Sequence, residues 1–65
     1  MVRVVIDTRQ MSLRLAERCV EAITCDGFVL YGETRDELVS GKLDADEADE
    51  IMAIGSRFGA KMKVL

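Results

Sequence analysis

The side chains in this sequence that could do chemistry are two cysteines and a run of carboxylates, because the chain contains no histidine. Cys19 falls on an apolar stripe without an imidazole to activate it, so a nucleophilic thiolate is not expected there. Cys19 and Cys25 are six residues apart, which on one helix separates their Cα atoms by roughly 9 Å, beyond disulfide reach. A disulfide stays open only if Cys25 lies beyond the helix end. We predict two reduced thiols, as in cytosolic proteins.

The carboxylates are concentrated between Asp44 and Glu50. A calcium loop needs oxygen ligands at fixed positions around a central glycine, and this run contains no glycine. Asp44 and Glu47 instead have the spacing of a helix capping box. Gly41-Lys42 lacks the serine or threonine that follows the lysine of a phosphate-binding loop. The sequence therefore predicts no catalytic residues, no metal and no cofactor, and we expect a protein that is not an enzyme.

Length and charge narrow the class of protein and its partners. The 65 residues predict a single domain over 1–65, and a domain this small often gains stability as a homodimer. The net charge of −3 argues against nucleic acid as the partner. No apolar run approaches the roughly 18 residues of a membrane span, and the strand-like start at Met1 does not resemble a signal peptide. We expect a cytoplasmic protein that does not enter a membrane.

Apolar periodicity predicts the elements that would position these side chains. Val2, Val4 and Ile6 alternate with other residues, which predicts a first strand with these side chains facing the core. A capping box of Asp7 and Gln10 is expected to open the first helix. Its buried stripe would comprise Met11, Leu15, Cys19 and Ile23, flanked by Ala16 and Val20, and Gly27 would end it.

The middle of the chain allows two structures. Phe28–Tyr31 is predicted to be the second strand, closed by Gly32. Residues 33–42 could form a short helix capped by Thr34 and Glu37, or residues 38–43 could form a third strand after a long loop. We favour the third strand, because it lets the second strand pair locally as a hairpin.

The second helix is expected to follow Asp44 and to stop at Gly59, with Arg57 near its C-terminus. Its predicted buried residues are Ala48, Ile51, Met52, Gly55 and Phe58. A helical glycine costs roughly 1 kcal/mol relative to alanine, so we expect Gly55 where the helix approaches the sheet closely. Residues 61–65 alternate and predict the last strand. The predicted fold class is α+β: a βαββαβ open-faced sandwich, with two helices on one face of a mainly antiparallel four-stranded sheet.

The uncovered face of that sheet is the first candidate surface. Arg3, Lys61, Lys63 and Tyr31 would share it if the outer strands are neighbours. Such a face could be solvated, form a subunit interface or bind single-stranded nucleic acid, for which one tyrosine is thin support. The apolar residues Val5, Val29 and Leu65 on the same face favour contact with protein.

The segment from Leu43 to Val64 resembles the second helix and last strand of HPr, the phosphocarrier of the sugar phosphotransferase system. The family's Val-Asx-Ala, helix core and closing Gly-x-x-Val fall without a gap on Leu43-Asp44-Ala45, Ile51-Met52-Ala53-Ile54 and Gly59-Ala60-Lys61-Met62. The order of elements also matches that fold, less its final helix. Elsewhere the similarity is one of pattern only.

The functional residues of the HPr family do not carry over. The turn with its phosphorylated histidine would fall around Arg9 and Gln10, so the resemblance implies a divergent member that is not competent for histidine phosphoryl transfer. The regulatory serine falls on Glu47, and the apolar docking patch keeps only Met52. Together with Arg14, these four residues form the partner-binding surface that the resemblance implies.

Two functions follow from these observations. The leading hypothesis is a non-catalytic HPr-like regulatory or protein-interaction domain with a protein partner. The alternative is a ferredoxin-like α/β plait that acts as a binding or oligomerisation module through Arg3, Lys61 and Lys63. Strand order separates them: HPr places the last strand beside both the first and second strands, whereas the plait inserts the first strand between the third and fourth.

Overall fold

The computed structural model of the chain describes residues 1–34 and 36–65. Six elements follow one another: β1 (Val4–Asp7), α1 (Leu13–Cys25), β2 (Leu30–Thr34), β3 (Glu37–Ser40), α2 (Ala45–Arg57) and β4 (Lys61–Val64). The predicted order of elements is confirmed, and so is the fold class. The protein is an α+β open-faced sandwich with a four-stranded antiparallel sheet.

The strands lie in the order β2-β3-β1-β4. β1 pairs antiparallel with β3 on one side and with β4 on the other, while β2 pairs with β3 as a hairpin. Before β1, Val2 forms an isolated bridge with Leu43. The first strand therefore lies between the third and fourth, which is the order expected of the plait. It differs from the order that the resemblance to HPr implies.

Alternation along β1 divides the sheet into a covered and an uncovered face. Val4 and Ile6 are almost completely buried and pack in the core with residues of both helices, whereas Val5 points to the opposite face. Val2 is partly buried against the same core. The predicted inward positions of the first strand are thus confirmed. The buried core comprises Val4, Ile6, Cys19, Ile23, Leu43, Ala48, Ile51 and Ile54.

The start of α1 differs from the prediction. Ser12 is the N-cap, and its hydroxyl accepts the backbone N–H of Leu15 at 3.2 Å. Asp7 lies at the end of β1, where its carboxylate accepts the N–H and the guanidinium of Arg9 at 2.9–3.2 Å. The predicted capping box of Asp7 and Gln10 is therefore wrong, because the carboxylate is already engaged in this turn, well before the helix begins.

The buried stripe of α1 is narrower than predicted. Cys19 and Ile23 are buried, and Ala16 and Val20 are half-buried. Met11 packs against the core from a position before the helix, and Leu15 is exposed, which corrects the prediction for both. Each four-residue step rotates the side chain by about 40°, so Leu15 has turned away from the line that Cys19 and Ile23 define. The helix ends at Cys25 and is followed by Gly27 at φ 96°, as predicted.

The middle of the chain forms a hairpin of β2 and β3. β3 spans Glu37–Ser40, so the favoured strand is confirmed, although the predicted long loop is wrong. Residue 35, which lies in the connection, is outside the described residues. β2 starts at Leu30, two residues later than predicted, and continues through Gly32, which was expected to close it. The pairing register shifts between Gly32 and Thr34, so this glycine belongs to an irregularity inside the strand.

The second helix follows its prediction closely. Asp44 and Glu47 form both hydrogen bonds of the capping box, at 2.8 and 3.1 Å. Ala48, Ile51 and Gly55 are buried as expected, and Ile54 is a core residue that the predicted face did not include. Met52 and Phe58 are partly buried against the core. The helix ends at Arg57, before Gly59 at φ 73°.

Gly55 is the point where α2 comes closest to β4. A Cβ atom at this position would lie 2.5 Å from Sδ and 2.7 Å from Cε of Met62. Such distances are shorter than van der Waals contact, so the glycine makes room for the methionine. The expectation that Gly55 permits a close approach to the sheet is confirmed.

Candidate binding surface

The uncovered face of the sheet carries a continuous row of four side chains. The registers place Lys63 opposite Val5, Val5 opposite Val39, and Val39 opposite Tyr31. Directly opposed residues of antiparallel strands point to the same face. The row therefore crosses all four strands, from a lysine at one edge through two valines to a tyrosine at the other.

The row consists of an apolar floor between two exposed ends. Val5 is 5% exposed and Val39 is 8% exposed, so their neighbours on this face shield them from water. Tyr31 is 57% exposed, and Lys63 is also exposed. An exposed aromatic ring beside a dry floor offers apolar area for a contact without requiring the fold to open.

A second row beside the first adds a cation and another apolar side chain. Arg3 and Leu65 exchange backbone hydrogen bonds of 3.3 and 2.8 Å, which places them opposite each other on the same face as Val5. Leu65 is 66% exposed, and Val29, two residues before Tyr31 in the chain, is 56% exposed. The predicted grouping of Arg3, Lys61, Lys63 and Tyr31 on one face agrees with this geometry, since Lys61 is two residues from Lys63 on β4 and therefore lies on the same face.

A shallow pocket of about 420 Å³ opens between these rows. It is lined by Arg3, Tyr31, Val39, Ser40, Gly41 and Lys42. The ring of Tyr31 lies over Gly41, with Cε2 4.0 Å from the position of a Cβ there. The described residues that line the pocket include two cations and no carboxylate, so it favours a negatively charged group. We use the name open-face surface for the two rows and this pocket.

The floor of the pocket is held by Ser40. Its hydroxyl accepts the backbone N–H of Val4 at 2.9 Å and donates to the carbonyl oxygen of Gly41 at 2.9 Å. Ser40 is almost completely buried. The side chain thus replaces a backbone acceptor at the point where β3 leaves the sheet. This local support was not predicted from the sequence, although the third strand itself was.

The acidic end of the same face is partly neutralised. Asp7 pairs with Arg9 at 2.9 Å, and their side-chain hydrogen bond is the main cause that lowers the pKa of Asp7 to about 2. Lys61, opposite Asp7 in the register, also lowers this pKa. The carboxylate therefore carries its charge at neutral pH with a cation beside it. Glu37, opposite Asp7 in the register, adds a second carboxylate at this end of the face. The exposed cations of the open-face surface are Arg3, Lys42 and Lys63.

The five residues implied by the resemblance to HPr do not form one cluster. Arg9, Gln10 and Arg14 follow the C-terminal end of β1, whose last residue pairs with the first residue of β3. Glu47 follows the other end of β3, where Leu43 bridges Val2. The two groups thus lie at opposite ends of the sheet. Met52 packs against the core, and Glu47 is engaged in the capping box.

The two cysteines are the remaining side chains that could be reactive. Cys19 is buried and Cys25 is exposed, and both thiols are free. Burial raises the pKa of the Cys19 thiol, which opposes formation of the thiolate. Within the described part of the chain, no group of three or more cysteine or acidic residues could hold a metal ion. No helix among the described residues is long and apolar enough to cross a membrane.

The residues missed from the sequence are Val39, Ser40 and Lys42. A strand over residues 38–43 places the side chain of Val39 on the face opposite to that of Leu38, so the position of Val39 could be predicted by alternation.

Comparisons with known proteins add no family. The scan against family models finds no match, and neither do the searches of curated proteins and of solved structures.

Proposed function

We propose that this chain is a non-catalytic protein-binding module of the α/β plait type, and that the open-face surface is its docking face. The observation that carries the proposal is the row Lys63, Val5, Val39 and Tyr31, which no helix covers. It combines a dry apolar floor with an exposed aromatic side chain and cations. Interfaces between proteins are enriched in tyrosine and arginine around an apolar centre.

The charge of the surface specifies the partner further. Arg3, Lys42 and Lys63 are exposed, and Arg9 pairs with Asp7 at the acidic end of this face. A partner with an acidic rim around an apolar side chain would match this pattern. The chain as a whole carries a charge of −3, so binding of an acidic partner depends on the local field of this face.

Strand order favours the plait version of this function over the HPr-like one. Because β1 and β3 are antiparallel, the residues that the resemblance implies follow opposite ends of the sheet, with Arg9, Gln10 and Arg14 after β1 and Glu47 after β3. The open-face surface, in contrast, is continuous over the sheet. We therefore propose the sheet face, and not the surface that includes Arg9, Gln10, Arg14, Glu47 and Met52, as the place of docking.

Affinity capture with matched variants tests this proposal. Tagged wild-type protein, the double variant Tyr31→Ala/Lys63→Glu and the control Ala53→Gln are each incubated with extract of the native cells, once untreated and once treated with nuclease. Ala53 is exposed on α2, on the other side of the sheet. Circular dichroism first establishes that all three are folded. Bound proteins are then quantified by mass spectrometry.

Proteins retained by the wild type and by Ala53→Gln, but lost from the double variant, are the expected result. Equal retention by the double variant would refute the proposed face. Loss of all specific binding after nuclease treatment, together with direct binding of an oligothymidine that the double variant abolishes, would replace the protein partner with single-stranded nucleic acid.

A further inference from the structure

A second concave surface lies on the helix-covered side of the sheet, between α1 and β3. It is a groove of about 440 Å³, lined by Thr8, Leu13, Ala16, Glu17, Val20, Glu21, Thr24 and Leu38. Six of these residues come from α1 and recur at three- and four-residue spacing, so they form one side of the helix. We call this surface the α1 groove.

The α1 groove exists because the apolar sector of the helix is wider than the part that the core covers. Cys19 and Ile23 face the core. Ala16, Val20 and Leu13 lie roughly 20–120° further round the helix, from the 100° rotation per residue. Leu13 is 78% exposed. An apolar sector that remains open beside a core is a surface with which another apolar group can make contact.

Charge defines the rim of the α1 groove. Glu17 and Glu21 line it one turn apart, and the described residues that line it include no cation. Both glutamates are exposed. Among the described residues, neither forms an ion pair with a lysine or arginine; the ion pair between Arg9 and Asp7 involves neither of them. A ligand that buries Leu13 and Val20 would therefore be favoured by positive charges along one flank.

The length of the groove fits a helical ligand. Leu13 and Thr24 are 11 residues apart, which corresponds to roughly 16 Å along the helix axis, or about three turns. Helix-in-groove recognition uses apolar side chains spaced by three and four residues over such a length. Because the groove lies on the other side of the sheet, this site is independent of the open-face surface.

We propose that the α1 groove binds an amphipathic helical segment of a partner protein, with apolar side chains against Leu13, Val20 and Leu38 and with lysine or arginine beside Glu17 and Glu21. The acidic rim excludes an acidic segment from this site. The chain therefore has two docking surfaces of opposite charge preference, the cationic sheet face and the anionic helix groove.

An amphipathic model peptide tests the site without knowledge of the partner. The probe is an 18-residue helix of leucine and lysine, and its counterpart has glutamate in place of each lysine. Each is titrated into the full ¹⁵N-labelled protein, and amide shifts are followed by NMR. We expect the lysine peptide to shift residues of α1 and Leu38.

Variants distinguish specific binding in the α1 groove from nonspecific electrostatic attraction. Leu13→Gln should weaken binding of the lysine peptide about tenfold, because roughly one leucine of apolar contact is lost. Glu17→Gln/Glu21→Gln should weaken it and reduce its dependence on salt. Val29→Gln, at an exposed apolar position outside the groove, serves as the control and should leave the affinity unchanged.

Three results would overturn the proposal. The first is that the shifts caused by the lysine peptide are confined to the acidic first turns of α2. The second is an unchanged affinity of Leu13→Gln while its spectrum shows the native fold. The third is that the glutamate peptide perturbs the same α1 residues with equal affinity. None of these three results depends on the outcome of the capture experiment on the sheet face.

Discussion

The hydroxyl of Ser40 accepts the backbone N–H of Val4 at 2.9 Å, across 36 residues of sequence. Both residues are almost completely buried. A buried N–H that loses its acceptor keeps the full cost of its desolvation, which is about 1–3 kcal/mol. The same hydroxyl donates to Gly41, beside the pocket of the open-face surface. Stability and the shape of the candidate site therefore depend on one side chain.

Ser40→Ala should lower the free energy of unfolding by about 1–3 kcal/mol, because it leaves the N–H of Val4 without this acceptor. Urea denaturation followed by circular dichroism measures the change. Ser56→Ala removes an exposed hydroxyl from α2 and should stay within about 0.5 kcal/mol of the wild type. Equal stability of the two variants would show that the Ser40 hydrogen bond contributes nothing measurable.

Gly55 and Met62 should be strongly coupled. In the wild type, Gly55→Ala gains about 1 kcal/mol of helix propensity but forces Met62 to move, at a cost of about 1–3 kcal/mol. In a Met62→Ala background the atoms that a Cβ would meet at 2.5 and 2.7 Å are gone. There Gly55→Ala should stabilise the fold by about 1 kcal/mol.

A double-mutant cycle measured by chemical denaturation gives this coupling directly. The control pair is Ala53→Gly with Met62→Ala, since Ala53 is exposed on the same helix. We expect additive effects for the control pair. Additive effects for Gly55 and Met62 as well would contradict the close packing of α2 on β4.

Asp7 should titrate far below an ordinary aspartate. Hydrogen bonds from Arg9 lower the pKa of Asp7 to about 2 in the folded protein, against roughly 3.9 in an unfolded chain. The charged carboxylate therefore favours folding above about pH 4, and this contribution is lost as the pH falls through the folded-state pKa near 2.

NMR titration of the Asp7 side-chain carboxyl checks this value. The midpoint should lie near 2 in the wild type and move upward in Arg9→Gln. Asp7→Asn should flatten the dependence of stability on pH between about 2 and 4. Arg57→Gln, which removes a cation from α2, serves as the control and should leave the Asp7 midpoint unchanged. A wild-type midpoint close to 4 would show that the pair with Arg9 does not persist in solution.

The chain should not accept a phosphoryl group from the sugar phosphotransferase system. It contains no histidine, and the position that corresponds to the family's phosphorylated histidine falls around Arg9 and Gln10. Incubation with the general phosphotransferase and labelled phosphoenolpyruvate should give no phosphoprotein, whereas authentic HPr in the same reaction should be labelled. Stable labelling of this chain would contradict the proposal that it is a non-catalytic module.

Local signals in the sequence predict the structure where one interaction dominates. Asp44 and Glu47 are three residues apart and satisfy each other's backbone groups, so the capping box depends on little else. Asp7 and Gln10 have the same spacing, yet Arg9 takes the carboxylate and Ser12 caps the helix instead. The pattern alone does not show which acceptor is already engaged.

Long-range order is where the sequence is least informative. Val4 and Ile6 were assigned to the core by alternation, but nothing in one strand states which strands it pairs with. The match of Leu43 to Val64 with HPr consists mainly of core positions, which any helix packed on a strand requires. Of the open-face surface, Arg3, Lys63 and Tyr31 were predicted together, whereas Lys42 depends on how the chain leaves β3 at Ser40.

The unequal burial of the two thiols allows selective labelling of the protein at Cys25. A maleimide at neutral pH will modify Cys25 and spare Cys19, giving a single fluorophore at the end of α1, on the side of the sheet away from the open face. The dye can then report docking without obstructing it. The same asymmetry means that stored samples can form covalent dimers through Cys25, so a reductant must accompany any test for self-association.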